Sequence, residues 1–244
     1  MLLTVETADG DEHDVYVKPS GRPEVGIEGM ANELLAAQLA HDLGVPVNEP
    51  FLVWLDPVLI KSIPDRKLQS VLENSSPLAF GSRSAGNGWR DWHAGDRVTA
   101  GRIGMAIRVL AFDVLINNRD RNTAKPNILV KGDEFRVIDH ELAFKIRLSL
   151  FPRPEPWKTG YCRFITSPES AHLFGHALKG SGIGLETVRH TWSSLQSNTI
   201  SAYSGLLPAE WSEAQAAVDD AIAFLLAVRE KLDSCLAELE RALA

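Results

Sequence analysis

Two cysteines in 244 residues are too few for a disulfide framework, and neither Cys162 nor Cys235 stands in a CxxC pair or beside a histidine cluster. Both read as reduced thiols, and a structural zinc site is not expected. Basic residues are also short. Lysine and arginine number 25 against 32 acids, a formal charge of −7, so the surface offers no general attraction for nucleic-acid phosphates. Long apolar runs are missing, and Met1–Glu6 lacks a basic region followed by an apolar stretch, so no membrane partner is expected and the predicted location is cytoplasmic. What remains is ordinary for a folded chain: 45% hydrophobic and 23% charged residues. The length exceeds one usual domain and falls short of two, which predicts a single domain, 1–244, with two lobes.

The chain divides by pattern. Leu2–Thr7 and Val15–Lys18 read as strands of a hairpin around the turn Ala8-Asp9-Gly10-Asp11. Pro19–Gly29 is a Gly- and Pro-containing loop, Met30–Leu43 has helical spacing that stops at Gly44, and Phe51–Leu55 is short enough to be a buried strand. These make a β-rich N-lobe over 1–55. Residues 56–96 are assigned between the lobes, because Ser62–Asp96 turns polar and rich in turn residues around Phe80–Gly88. A C-lobe over 97–244 opens with a helix at Arg97–Asn117 and continues with a polar loop, Asn118–Pro126. A hairpin of Ile128–Lys131 and Phe135–Ile138 follows, and the pattern is helical from Pro168 onward. The predicted class is α+β. In the last helical region, Ile222, Phe224, Leu225, Val228 and Leu232 form an apolar stripe suited to the C-lobe core. The tryptophans at 89, 92, 157, 192 and 211 are spread among loops and helices without a regular basic interleave, so they do not read as a base-stacking platform.

The chemistry concentrates in residues 117–144. Asn117-Asn118-Arg119-Asp120-Arg121-Asn122-Thr123-Ala124-Lys125-Pro126-Asn127 leads into the apolar run Ile128-Leu129-Val130, and Val137-Ile138-Asp139-His140 follows a turn. A hairpin returns its second strand beside its first, which brings Asp139 near Asn127. Amide and carboxylate oxygens meeting at one point suit a hard divalent cation such as Mg²⁺. Asp120, upstream in the loop, would orient an attacking hydroxyl. These are the parts phosphoryl transfer needs: a metal held by oxygens, a cation on the phosphates and a group on the acceptor. Asp120 and Asn127 are also residue types that cap turns. His140 reads as a hydrogen-bonded neighbour of Asp139; Ser82, Arg83 and Ser84 either meet phosphate or substrate or are solvated, and Arg121 either stabilises charge or is solvated.

These motifs, from Phe112-Asp113 through Asn118-Arg119-Asp120-Arg121 and Asn127-Ile128-Leu129 to Ile138-Asp139-His140, resemble the HipA-like kinases and the related phosphatidylinositol-kinase catalytic loop. Upstream, Val15-Tyr16-Val17-Lys18 resembles the strand carrying the nucleotide lysine, and Asn32-Glu33-Leu34-Leu35-Ala36 the helix after it. Together the similar stretches cover about half the chain. The resemblance implies a protein-kinase-like, two-lobed α+β fold with a small β-rich N-lobe, shortened at its start, and a mainly helical C-lobe. It implies ATP and Mg²⁺ as cofactors, with Mn²⁺ as a substitute, and a protein serine or threonine, a lipid or a small molecule as acceptor. By position, Lys18 would contact the phosphates, Glu33 would pair with Lys18, Asp120 would be the catalytic aspartate, and Asn127 and Asp139 would hold the metal. The step from Asp120 to Asn127 is longer than usual in this loop, which leaves Asn122 as an alternative ligand. Only seventeen residues precede Lys18, and against the family pattern the expectation is a missing or shortened phosphate cover. Gly21–Gly29 and Phe80–Gly88 are candidate cradles or plain surface loops, neither having a Walker pattern.

Overall fold

Alternation of exposed and buried residues in β1 (Leu2–Glu6) and β2 (Glu12–Lys18) makes one antiparallel pair, closed by a turn in which Gly10 takes φ +85°. A computed structural model describes residues 1–146 and 153–244. Helix α1 (Gly26–Asp42) follows, ending where Gly44 adopts φ +62°, and then β3 (Pro50–Trp54). The short helices α2 (Pro57–Ser62) and α3 (Arg66–Glu73) are each capped by an aspartate, Asp56 and Asp65, whose side chains accept from backbone N–H groups of the first turn.

The stretch expected to lie between the lobes holds more than turns. It contains α3 and a further strand, β4 (Leu78–Arg83), which pairs antiparallel with both β2 and β3 at the middle of a four-stranded sheet ordered β1-β2-β4-β3. Valines and alanine on one face, Val15, Val17, Ala79 and Val53, are buried, whereas Tyr16, Lys18, Phe80 and Ser82 on the other face line a cavity. Gly81 belongs to the buried face. A Cβ there would lie 2.6 Å from Val15 Cγ1 and 2.8 Å from Val53 Cγ2, so this glycine serves packing rather than phosphate binding.

Beyond a two-residue strand, β5 (Arg90–Asp91), helix α4 (Ile103–Leu115) begins six residues later than its pattern suggested, because a turn closes first with Arg102 N–H donating to Thr99 O. It is buried from Val109 to Leu115. The hairpin β6 (Ile128–Lys131) and β7 (Glu134–Val137) joins β5 in a second sheet, with Ile128 opposite Val137. The remainder is helical: α5 (Gly175–Leu178), α6 (Glu186–Ser194), α7 (Ser197–Ala202), α8 (Gln215–Glu230) and α9 (Leu232–Leu243), with 3₁₀ turns at Tyr161–Thr166, Tyr203–Leu206 and Ala209–Ala214. The fold is α+β, a small antiparallel sheet followed by a mainly helical part, as the sequence predicts. The stripe Ile222, Phe224, Leu225, Val228 and Leu232 is buried.

Two of the 3₁₀ turns of the C-terminal part brace the sheet and the end of α1. Trp211 Nε1 donates to the carbonyl of Leu78 at 3.0 Å, and Tyr203 OH donates to Asp42 Oδ2 at 2.7 Å. Cys162 and Cys235 are free and buried, and burial pushes each thiol up to about 12. Among the described residues no helix is long and apolar enough to cross a membrane.

Candidate active site

Lys18 ends β2 with its side chain on the cavity face, where one helix and one loop converge on it. Its Nζ donates to Glu33 Oε1 at 2.5 Å, Asp139 Oδ1 at 2.6 Å and Glu141 Oε2 at 3.0 Å. Burial would lower the lysine's affinity for its proton, but Glu33 and Asp139 outweigh it and hold the ammonium above its ordinary value. Glu33, in the second turn of α1, is fully buried; its other oxygen accepts the backbone N–H of His140 at 2.9 Å. Burial favours its neutral form, yet the hydrogen bond to His140 and the charge of Lys18 bring it down to about 2. Burial pushes the Glu141 carboxyl upward, against the pull of Lys18. Three carboxylates facing one ammonium leave two negative charges uncompensated at this point.

The loop after α4 arranges the other residues. Asn122 Oδ1 accepts the N–H groups of Ala124 at 2.9 Å and Lys125 at 3.0 Å, so its carboxamide is committed to a turn. Asn127 is different. It has φ +47°, its Nδ2 is buried without a partner, and its carbonyl accepts the N–H of Ile138 at 3.0 Å, which sets it beside the segment carrying Asp139. Asp139 also lies in the left-handed region, at φ +62°. Lys18, Glu33 and Asp139 therefore meet, and Asn127 adjoins them through the backbone. Asp120 does not touch this group; Lys125 Nζ spans its two oxygens at 3.2 and 3.3 Å.

A cavity of about 430 Å³ opens beside the cluster. Val47, Phe80, Leu129 and Val137 supply apolar walls, and the segment Ser84–Gly86, running from β4 toward β5, closes one side. Gly21–Gly29 does not line it; Gly29 sits in α1 against Glu141 Cβ. Arg83 pairs with Glu49 at the surface.

A family model of the HipA-like kinases matches residues 7–153, a stretch that holds Lys18, Glu33, Asp120, Asn127, Asp139 and Glu141. The chain belongs to the HipA-like kinase family. Among curated proteins, none matches it. In this HipA-like kinase Glu33, Asp139 and Glu141 bring carboxylate oxygens within 4.8 Å of one another beside Lys18, a set of hard oxygens that fits a divalent cation of the Mg²⁺ type.

Two groups at the site escaped the sequence reading. Glu141 lies two residues past Asp139, an acid whose role no spacing rule isolates. Arg121, for which the sequence offers charge stabilisation or a solvated position, is not solvated: its side chain is fully buried against Asp113. That signal was available, since Asp113 interrupts an apolar run from Val109 to Ile116 and a charge buried there demands a partner.

Proposed function

We propose that this HipA-like kinase is an ATP- and Mg²⁺-dependent phosphotransferase, with a protein serine or threonine as acceptor. The observation that carries the reading is the ammonium of Lys18, held by Glu33, Asp139 and Glu141 at the edge of the cavity. Val47, Phe80, Leu129 and Val137 suit the faces of a base, and Ser84–Gly86 offers backbone groups to its edge. Lys18 would neutralise phosphate oxygens, its position fixed by Glu33. Asn127 and Asp139 would hold Mg²⁺, with Glu141 close enough to join or to balance its charge. When bound, the metal supplies charge neutralisation on the phosphates as charge develops in transfer. Asp120 would orient the acceptor hydroxyl and take its proton once Lys125 turns toward the phosphates.

A second reading, a nucleotide-binding regulator that transfers nothing, is favoured by one observation: Lys125 engages both oxygens of Asp120. Phosphate incorporation and ADP release, measured with Mg²⁺ for wild type, Asp120→Ala and Asp139→Ala, separate the two. Transfer in wild type and a loss of about 10²–10⁴-fold in Asp120→Ala support catalysis. Equal turnover in Asp120→Ala sinks it, and nucleotide binding without transfer selects the regulator.

A further inference from the structure

We propose that Arg121 is a positioning residue that sets the two metal-binding segments against each other through their backbones; the inference rests on the kinase reading above. One guanidinium reaches both segments. Nη1 donates to the carbonyl of Asn127 and, at 3.3 Å, to that of Ile138, the residue before Asp139. Nη2 lies 3.1 Å from Nε2 of His140, the residue after Asp139. An arginine only donates, so His140 accepts at Nε2 and carries its proton on Nδ1, which points toward Glu33 Oε2 at 3.8 Å. Arg121 therefore touches Asn127 itself and both neighbours of Asp139.

The guanidinium is in turn fixed from below. Nε donates to Asp113 Oδ2 at 2.6 Å and Nη2 to Oδ1 at 3.3 Å. Asp113 also accepts from Asn118 Nδ2 at 2.7 Å and faces His172 Nε2 at 3.0 Å, so its carboxylate has little freedom to move. Asn127 and Asp139 both hold positive φ, a conformation that non-glycine residues keep only where their surroundings impose it. The fork of Arg121 supplies that constraint to both carbonyls at once. A lysine keeps the charge and the Asp113 pair but makes no planar fork, so it would hold one segment and release the other.

Direct Mn²⁺ binding, followed by the electron-spin signal of the free ion with and without ATP, tests this without relying on turnover. The proteins compared are wild type, Arg121→Lys and Asp113→Asn, with metal-free ATP affinity and thermal unfolding measured alongside. Arg121→Lys is expected to lose about 10–100-fold in Mn²⁺ affinity, the usual effect of disturbing groups behind metal ligands, while metal-free ATP affinity is unchanged. Its phosphate transfer should recover at high Mn²⁺, a change in metal requirement rather than in maximal rate. Wild-type Mn²⁺ affinity in a folded Arg121→Lys overturns the proposal. Should Arg121→Lys fail to fold, Asp113→Asn decides: weakened Mn²⁺ binding supports the role and unchanged binding overturns it. A wild type that binds no Mn²⁺ with or without ATP refutes the metal site, and with it this inference.

Discussion

Glu33 carries the greatest electrostatic burden of any side chain near the cavity, because its carboxylate is buried and still ionised. Burial raises its carboxyl, but the side chain of His140 and the charge of Lys18 together overcome that cost and bring the group from an ordinary 4.5 to about 2. A carboxyl depressed in the folded state contributes stability that is fully present above the unfolded value and lost as pH falls toward the folded one. Glu33→Gln keeps the shape and removes the charge. It is expected to lower stability at pH 7 by on the order of 3 kcal/mol, with the gap to wild type closing between pH 4.5 and about 2. Urea unfolding of both proteins over a pH series reads this directly. A gap that stays constant down to pH 3 would mean that the carboxyl of Glu33 titrates alike in the folded and unfolded chain and that its ionisation contributes nothing to stability.

Strand β4 shows how elements combine to make the site, and why part of it was hard to read. Gly81 leaves room for Val15 and Val53 to close over the buried face while Phe80 and Ser82, its neighbours, turn to the cavity. Gly81→Ala is expected to cost about 1–3 kcal/mol through overpacking, and Val15→Ala to relieve part of that cost, giving a coupling of about 0.5–3 kcal/mol in a double-mutant cycle. Strict additivity would mean the strand shifts to accept the methyl group. The hairpins β1–β2 and β6–β7, helix α1 and the stripe on α8 were legible because their apolar periods are regular and their turns carry glycine or aspartate. Strand β4 was not, since Gly81, Ser82 and Arg83 have the composition of a loop, and only pairing on both sides makes them a strand. The same contrast holds at the site. Lys18, Glu33 and Asp139 stand in recognisable local patterns, whereas the convergence of Arg121 on two distant carbonyls and of Glu141 on Lys18 depends on tertiary contacts no local pattern encodes.

Three segments meet electrostatically at Lys18, one cation from the sheet against Asp139 and Glu141 from the loop after β7 and Glu33 from α1. Removing that cation leaves three carboxylates in mutual repulsion, with their oxygens within 4.8 Å of one another. Lys18→Met is therefore expected to unfold at a lower temperature than wild type in the presence of a chelator. Adding millimolar Mg²⁺ or Mn²⁺ should then stabilise the variant more than the wild type, because the ion takes over the charge that Lys18 supplied. A ligand that binds only the folded state contributes RT ln(1 + [L]/Kd), about 2.7 kcal/mol at a hundredfold excess over Kd, or roughly 5–10 °C in Tm for a chain of this size. Thermal unfolding of both proteins with chelator and with metal measures the difference. If divalent ions stabilise wild type and variant equally, the ion binds away from this cluster, and the oxygens around Lys18 serve only to join the sheet to α1 and to the loop after β7.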